Sequence, residues 1–283
     1  MCSHHVNPPL LLGHLRLVSP AYLKTVLRSL ILILEANSYL PHKVPLAEAS
    51  HSLLEDHAGS LRVEVAEAIL TRWFGKLRLV SDEEGGGEPA APAPTRSRAK
   101  IEAVELDGQR IARFFGEELL KEASQKRLAS GQSVPTATTH EEFMSSWRSL
   151  IGDSFFPDPV SLSLLQGQYL LHPAPPARSC GPPLEPLTIS YYPAHQLPLD
   201  PTARFQELFL TRPSWTLEDL EPFIRDMAVD PKRREALLIK YARTNKVKVP
   251  GPSSSSALQN QQESKKDTSQ PKEVTVYSAR LRY

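Results

Sequence analysis

Three low-complexity stretches, at 81–98, 173–186 and 251–271, constrain this chain more than any other feature. Segments dominated by Gly, Pro and Ala, or by Ser, Gln and Lys, cannot bury enough apolar surface to offset the entropy of ordering them. Folding must happen in the blocks between. A length of 283 residues then suits several small modules rather than one large catalytic core. Proline supplies the punctuation, with 26 residues, nearly twice the ~5% of an average protein.

The blocks share an order of elements. In the first, a short apolar strand at 10–18 gives way at Ser19-Pro20 to a helix over 22–34, where Leu23, Val26, Leu27, Leu30, Ile31 and Leu34 recur every three or four residues. The stretch 44–49 can hold a brief strand and a short second helix. Leu61, Val65, Ile69 and Trp73 step by four along a third helix that Gly75 ends, and strands at 77–80 and 101–106 flank the first insert. The second block has a helix at 109–128, another opened by a capping box from Thr138 to Glu141 with Phe143 and Trp147 on its buried side, and a short helical stretch at 160–165 stopped by Gly167. Strands at 168–171 and 187–192 surround its insert. The third block repeats the scheme with helices at 202–210, 217–226 and 232–243, Thr216 and Asp219 capping the middle one, and strands at 246–249 and 274–279.

Helix, helix, helix, strand, loose loop, strand is the order of a winged helix. Its threefold recurrence predicts an α+β, predominantly helical chain of tandem winged-helix modules with long low-complexity wings. The expected boundaries are 1–19, a terminal strand remnant of a preceding module, then 20–106, 107–192 and 193–283.

Catalytic chemistry has no visible constellation. Gly75-Lys76 is followed by Leu77 and lacks the upstream glycine of a phosphate-binding loop. The serine run at 253–256 lacks the framing glycines of a hydrolase elbow. His4 and His5 sit at a terminus, and His51 and His57 are six apart, which puts them on different helical faces; solvated or capping roles suit all four better than metal binding. Asp82, Glu83 and Glu84 fall in a glycine-rich loop that cannot hold carboxylates to catalytic precision. With only Cys2 and Cys180, no disulfide framework is available. No apolar run approaches the ~18 residues that span a bilayer, and no export signal is recognisable at the start, so the expectation is a soluble, intracellular, non-enzymatic chain without metal or cofactor.

The charge points to a partner. Lys+Arg total 33 against 32 for Asp+Glu, yet residues 231–283 hold 12 basic and four acidic side chains, a net of +8, against −7 for the rest. On the third helix of the last block Arg233, Lys240 and Arg243 align with Ala236, opposite Leu237, Leu238 and Tyr241, and Lys246 and Lys248 carry the charge into the hairpin. In a winged helix this element enters a major groove while its cations neutralise phosphates. These five residues are therefore the expected contacts to single- or double-stranded DNA. The helix has no Asn or Gln before Asn245, which argues against base-specific reading. A second reading stays open, in which the stripe docks on an acidic protein surface or merely solvates an exposed face, leaving a protein-only winged-helix scaffold. Trp73, Trp147, Trp215, Phe223 and Ile224, at helical spacings, read as core.

The C-terminal block carries a resemblance. Arg204-Phe205, Leu208-Phe209, Arg212, Trp215-Thr216, Asp219, Glu221-Pro222-Phe223-Ile224, Asp226, Leu237-Leu238, Lys240-Tyr241, Arg243 and Val276-Tyr277-Ser278-Ala279-Arg280 together resemble the sister chromatid cohesion protein Dcc family, named for defective sister chromatid cohesion. Glu142-Phe143, Trp147, Ile111-Ala112, Lys43-Val44-Pro45-Leu46 and Leu15 to Leu17 continue it upstream. The resemblance implies a nuclear, non-catalytic small subunit of an alternative clamp loader of the replication-factor-C type. The partners it implies are the loader's large ATPase, its other small subunit, the leading-strand DNA polymerase, DNA and, indirectly, the sliding clamp. It also implies a β-rich portion ahead of the matched stretch, which this chain is expected to lack.

Overall fold

Ser19 opens the first long helix, α1 (Pro20–Ala36), by accepting a hydrogen bond from the Tyr22 amide at 3.2 Å, with Pro20 at the position where a missing N–H costs nothing. The computed structural model that shows this describes residues 10–11, 14–15, 18–80, 101–129, 138–152, 155, 159–173, 186–249 and 272–280. The expected loops at 81–98 and 251–271, the interior of the loop at 173–186, both cysteines, His4, His5 and the acids at 82–84 lie outside the described residues. Instead of one strand at 10–18, Leu10–Leu11 (β1) pairs antiparallel with His14–Leu15 (β2).

The chain divides into two compact units, one of residues 2–118 with 145–164, the other of 119–144 with 165–283. In the first, α1 is followed by β3 (Val44–Pro45), α2 (Leu46–Asp56), α3 (Val63–Ala68), β4 (Gly75–Val80) and β5 (Ile101–Leu106). The spacing of apolar residues along α1 becomes its inner face. Val26, Leu27 and Leu30 are completely buried, together with Val44, Leu53, Ile69, Leu70 and Val104. Each such side chain contributes roughly 1.5–3 kcal/mol. Val104 is the hinge of the sheet, opposite both Val44 and Leu77, so β5 lies between β3 and β4. The first half of α4 (Gly108–Ala129) adds Ile111, Ala112 and Phe115, and the indole of Trp147 on α5 (His140–Ile151) donates to the Ala112 carbonyl at 2.8 Å.

The third helix departs from expectation. Its α-helical part stops at Ala68 and the chain widens into a π turn over Ile69–Trp73, with the Phe74 amide donating to the Ile69 carbonyl at 3.0 Å. Gly75 is then the first residue of β4 rather than a helix cap. Its lack of a side chain is a matter of space, since a Cβ there would sit 2.1 Å from the Leu70 oxygen and 2.7 Å from Val104 Cγ1.

In the second unit β6 (Thr138–Thr139), β7 (Tyr169–His172) and β8 (Thr188–Tyr191) form a sheet, followed by α6 (Pro201–Thr211), β9 (Ser214–Trp215), α7 (Leu217–Ile224), α8 (Pro231–Tyr241), β10 (Ala242–Val249) and β11 (Lys272–Ala279). The capping box exists but is displaced by one residue. Thr138 is held in the ladder opposite Ile189, so Thr139 caps α5, accepting from the Glu142 amide while its own amide donates to Glu142 Oε2, each at 3.2 Å. The three-stranded sheets run β3-β5-β4, β6-β8-β7 and β9-β11-β10, so in each the short strand ahead of a helix pairs with the last strand, and the last strand with the middle one. Mixed α and β structure built on small antiparallel sheets is what the periodicities predicted.

A Gly75→Ala variant forces the π turn and Val104 apart, and the expected cost is about 1–3 kcal/mol of the first unit's stability. Chemical denaturation followed by Trp fluorescence measures it; an unchanged midpoint means that the turn relaxes freely.

Candidate nucleic-acid interface

The basic C-terminal elements rest on a buried arginine. Asp200 caps α6 by accepting from the Ala203 amide at 2.9 Å, and one turn on Arg204 points inward with 1% of its surface exposed. Its Nε donates to the Pro198 carbonyl at 2.7 Å and Nη2 to the Leu197 carbonyl at 3.4 Å, while Nη1 reaches the Phe223 carbonyl at 3.0 Å and also the Asp226 carboxylate. Charge is tolerable there because those acceptors replace water. A second buried arginine, Arg212, lies 4.8 Å from the Trp215 ring centroid, pairs with Asp219 at 3.4 Å and donates to the Leu171 carbonyl, which fixes the edge of β7. Trp215 is fully buried and donates to the Leu208 and Arg212 carbonyls at 3.1 and 2.9 Å. Around these groups Leu170, Phe205, Leu208, Leu220, Phe223, Ile224 and Leu238 form one core.

On that core lies α8, capped by Asp230, which accepts from the Lys232 amide at 3.1 Å. Leu238 faces in, Leu237 and Tyr241 are half-buried, and Arg234 turns aside to Glu221 at 3.3 Å. Arg233 and Lys240, both exposed, are seven residues apart and so share one outward stripe with Ala236. Lys232, also exposed, borders that stripe and was not singled out from the sequence, although its helical position alone sufficed to find it. Tyr241 stacks on Phe205 at 5.0 Å, and its phenol is held below the usual value by the hydrogen bond with Thr202 and by Lys240, whose ammonium is 5.0 Å from the ring.

The helix ends at Tyr241 instead of 243, because Ala242 already pairs with Ala279 in the sheet. Arg243 is therefore a strand residue, not part of the helical stripe. Eight residue pairs join β10 to β11, but β9 meets β11 only at Tyr277 and Ser278, so the pairs from Lys246 to Val249 form a two-stranded ribbon. Alternation along β10 puts Lys246 and Lys248 on one face with Ala242 and Thr244, and Arg243 on the other. The five candidates thus separate into a helical pair, a ribbon pair and one residue on the opposite face. Arg280 donates to the Ile239 carbonyl and caps α8. Lys265, Lys266 and Arg282 lie outside the described residues.

Elsewhere, a depression of about 400 Å³ lined by residues including His42, Lys76, Glu105, Asp107 and Phe155 has its carboxylates engaged in the fold: Glu105 pairs with Arg78 at 2.9 Å and Asp107 with Arg110 at 3.2 Å. His51 pairs with Glu55, and His57 Nε2 is 3.0 Å from Ser29 Oγ. Among the described residues no group of three or more His, Cys, Asp or Glu could hold a metal ion, and no helix is long and apolar enough to cross a membrane.

With this geometry in place, comparison with known proteins is specific. The family described as Sister chromatid cohesion protein Dcc1 matches residues 5–224, and the chain belongs to that family. Relatives named Sister chromatid cohesion protein DCC1 include one from Saccharomyces cerevisiae, 29% identical over 137 residues, 48% of this chain and 30% of the relative. The Xenopus laevis protein is 28% identical over 235 residues, 82% of this chain and 48% of its own length. The Homo sapiens protein is 30% identical over 148 residues, 51% and 32% respectively. The chain thus spans less than half the length of these relatives. The family match includes Arg204, Arg212 and Trp215, while α8 and the β10–β11 hairpin follow it.

Replacing Arg204 with Leu strands the Asp226 carboxylate and the Phe223 carbonyl, and should cost about 3–5 kcal/mol. Arg204→Lys recovers only part, since one ammonium cannot span the four acceptors. Urea melts of the full chain test both; a loss under about 1 kcal/mol for Arg204→Leu would mean that the guanidinium is not what fixes α6 to the end of α7.

Proposed function

We propose that the chain is a non-catalytic, nuclear accessory subunit of an alternative clamp loader, acting in DNA replication and sister chromatid cohesion, and that its last module binds DNA. Family membership supports the cohesion role. The strand order common to the three sheets supports winged-helix modules at 20–106, 107–192 and 193–283. The large ATPase, the other small subunit and the leading-strand polymerase are the protein partners in this reading, with the sliding clamp reached through them. Catalysis belongs to the ATPase.

One observation carries the DNA reading: an exposed basic stripe on α8 runs directly into a ribbon whose Lys246 and Lys248 share a face. Such cations bind by displacing counterions from phosphates, whatever the sequence. Arg243, on the opposite face, contributes less than the other four. Docking on an acidic protein surface is the second reading, in which the same exposed cations meet carboxylates in place of phosphates.

Fluorescence anisotropy of the 283-residue chain with labelled duplex and single-stranded DNA across a salt series tests this. The expectation is binding that weakens steeply with salt, with a slope reduced by about one unit for each of Arg233→Gln, Lys240→Gln, Lys246→Gln and Lys248→Gln. Arg243→Gln should leave the slope within about half a unit of the parent. Absence of binding at low salt, with all variants folded, would favour the protein-docking reading instead.

A further inference from the structure

Resting on the DNA reading just given, the geometry points to Glu273 as a built-in competitor of phosphate, which sets how tightly the ribbon holds nucleic acid. Among the described residues of α8 and the β10–β11 hairpin, the acids are Glu235 and Glu273. Glu235 lies off the Arg233–Ala236–Lys240 stripe, on the far side of the helix's exposed face. Glu273 stands on the ribbon itself, directly opposite Lys248 in register, with its carboxylate 3.5 Å from the Lys246 ammonium. Directly opposite residues share a face, and the diagonal neighbour on that face is within reach of a long side chain. The ribbon face therefore carries two cations and one anion side by side.

This pair does little for the fold. Its side chains are 74% and 49% exposed, so solvent screens the pair and it adds little to stability. Its larger effect falls on an arriving phosphate. To bind Lys246 the phosphate must displace the carboxylate, and it meets a like charge next to Lys248, so the ribbon acts as roughly one cation rather than two. A weakened ribbon suits a subunit that must let go of DNA, since affinity is tuned mainly through the dissociation rate.

The test is duplex binding by the full chain carrying Glu273→Gln, alongside Lys246→Gln, the double variant, and Glu64→Gln as an exposed acid of the other unit. Glu273→Gln is expected to tighten binding about three- to tenfold at low salt and to steepen the salt slope by up to about one unit. Most of the gain should vanish when Lys246 is also replaced, and Glu64→Gln should leave affinity within about twofold. If the parent binds with a steep salt dependence but Glu273→Gln does not tighten it, or Glu64→Gln tightens it equally, the inference is overturned while the DNA reading stands. If the parent does not bind duplex even at low salt, the DNA reading itself fails and the competitor role with it.

Discussion

Burying the Arg204 guanidinium ties the turn at Leu197 and Pro198, the first turns of α6, the Phe223 carbonyl near the end of α7 and Asp226 to a single point. Everything basic further along the chain depends on that tie. The segment after Asp226 leads into α8, whose inner residue Leu238 closes the same core, and α8 runs without a break into β10. Removing a planar group with several directed donors leaves carbonyls and a carboxylate without partners, a penalty that the surrounding apolar contacts cannot make good. Arg212 repeats the device towards β7, with Trp215 as its apolar support. Of the charged residues that carry the family resemblance, Arg204, Arg212, Asp219 and Asp226 are internal fasteners, whereas Lys240 and Arg243 lie on the exposed surface with Arg233, Lys246 and Lys248.

That division suits a surface of this type. Phosphate neutralisation needs exposed, adjustable cations on a rigid frame, and the frame is supplied by capped helices and a sheet whose third strand stops short of the ribbon. The ribbon projects two lysines on the face continuous with the buried Ala242, while Arg243 points the other way. A carboxylate on the partner strand beside those lysines moderates the field along the hairpin.

Much of this was legible in the sequence. Helices with a full apolar stripe and a proline-marked start, α1 and α6 among them, appeared within two residues of their observed ends, because periodicity and capping are local properties. The failures occurred where tertiary contacts overrule local signals. Thr138 and Thr139 both precede a glutamate by three, and only pairing with Ile189 decides which one caps. Two-residue strands such as β6 and β9 have no periodicity to read. Arg243 continues the helical spacing, yet the sheet claims the chain at Ala242. The basic character of the candidate surface was visible as composition; its partition into faces, and the position of Glu273 among the lysines, required the strand register.

The most direct measurement is lysine acylation of the full chain, read by mass spectrometry, with and without saturating duplex DNA. Lys240, Lys246 and Lys248 should lose reactivity on binding, while Lys43 and Lys76, exposed in the other unit, keep theirs. Protection of Lys43 and Lys76 with Lys240, Lys246 and Lys248 unchanged would contradict the account and place the nucleic-acid surface on the first unit.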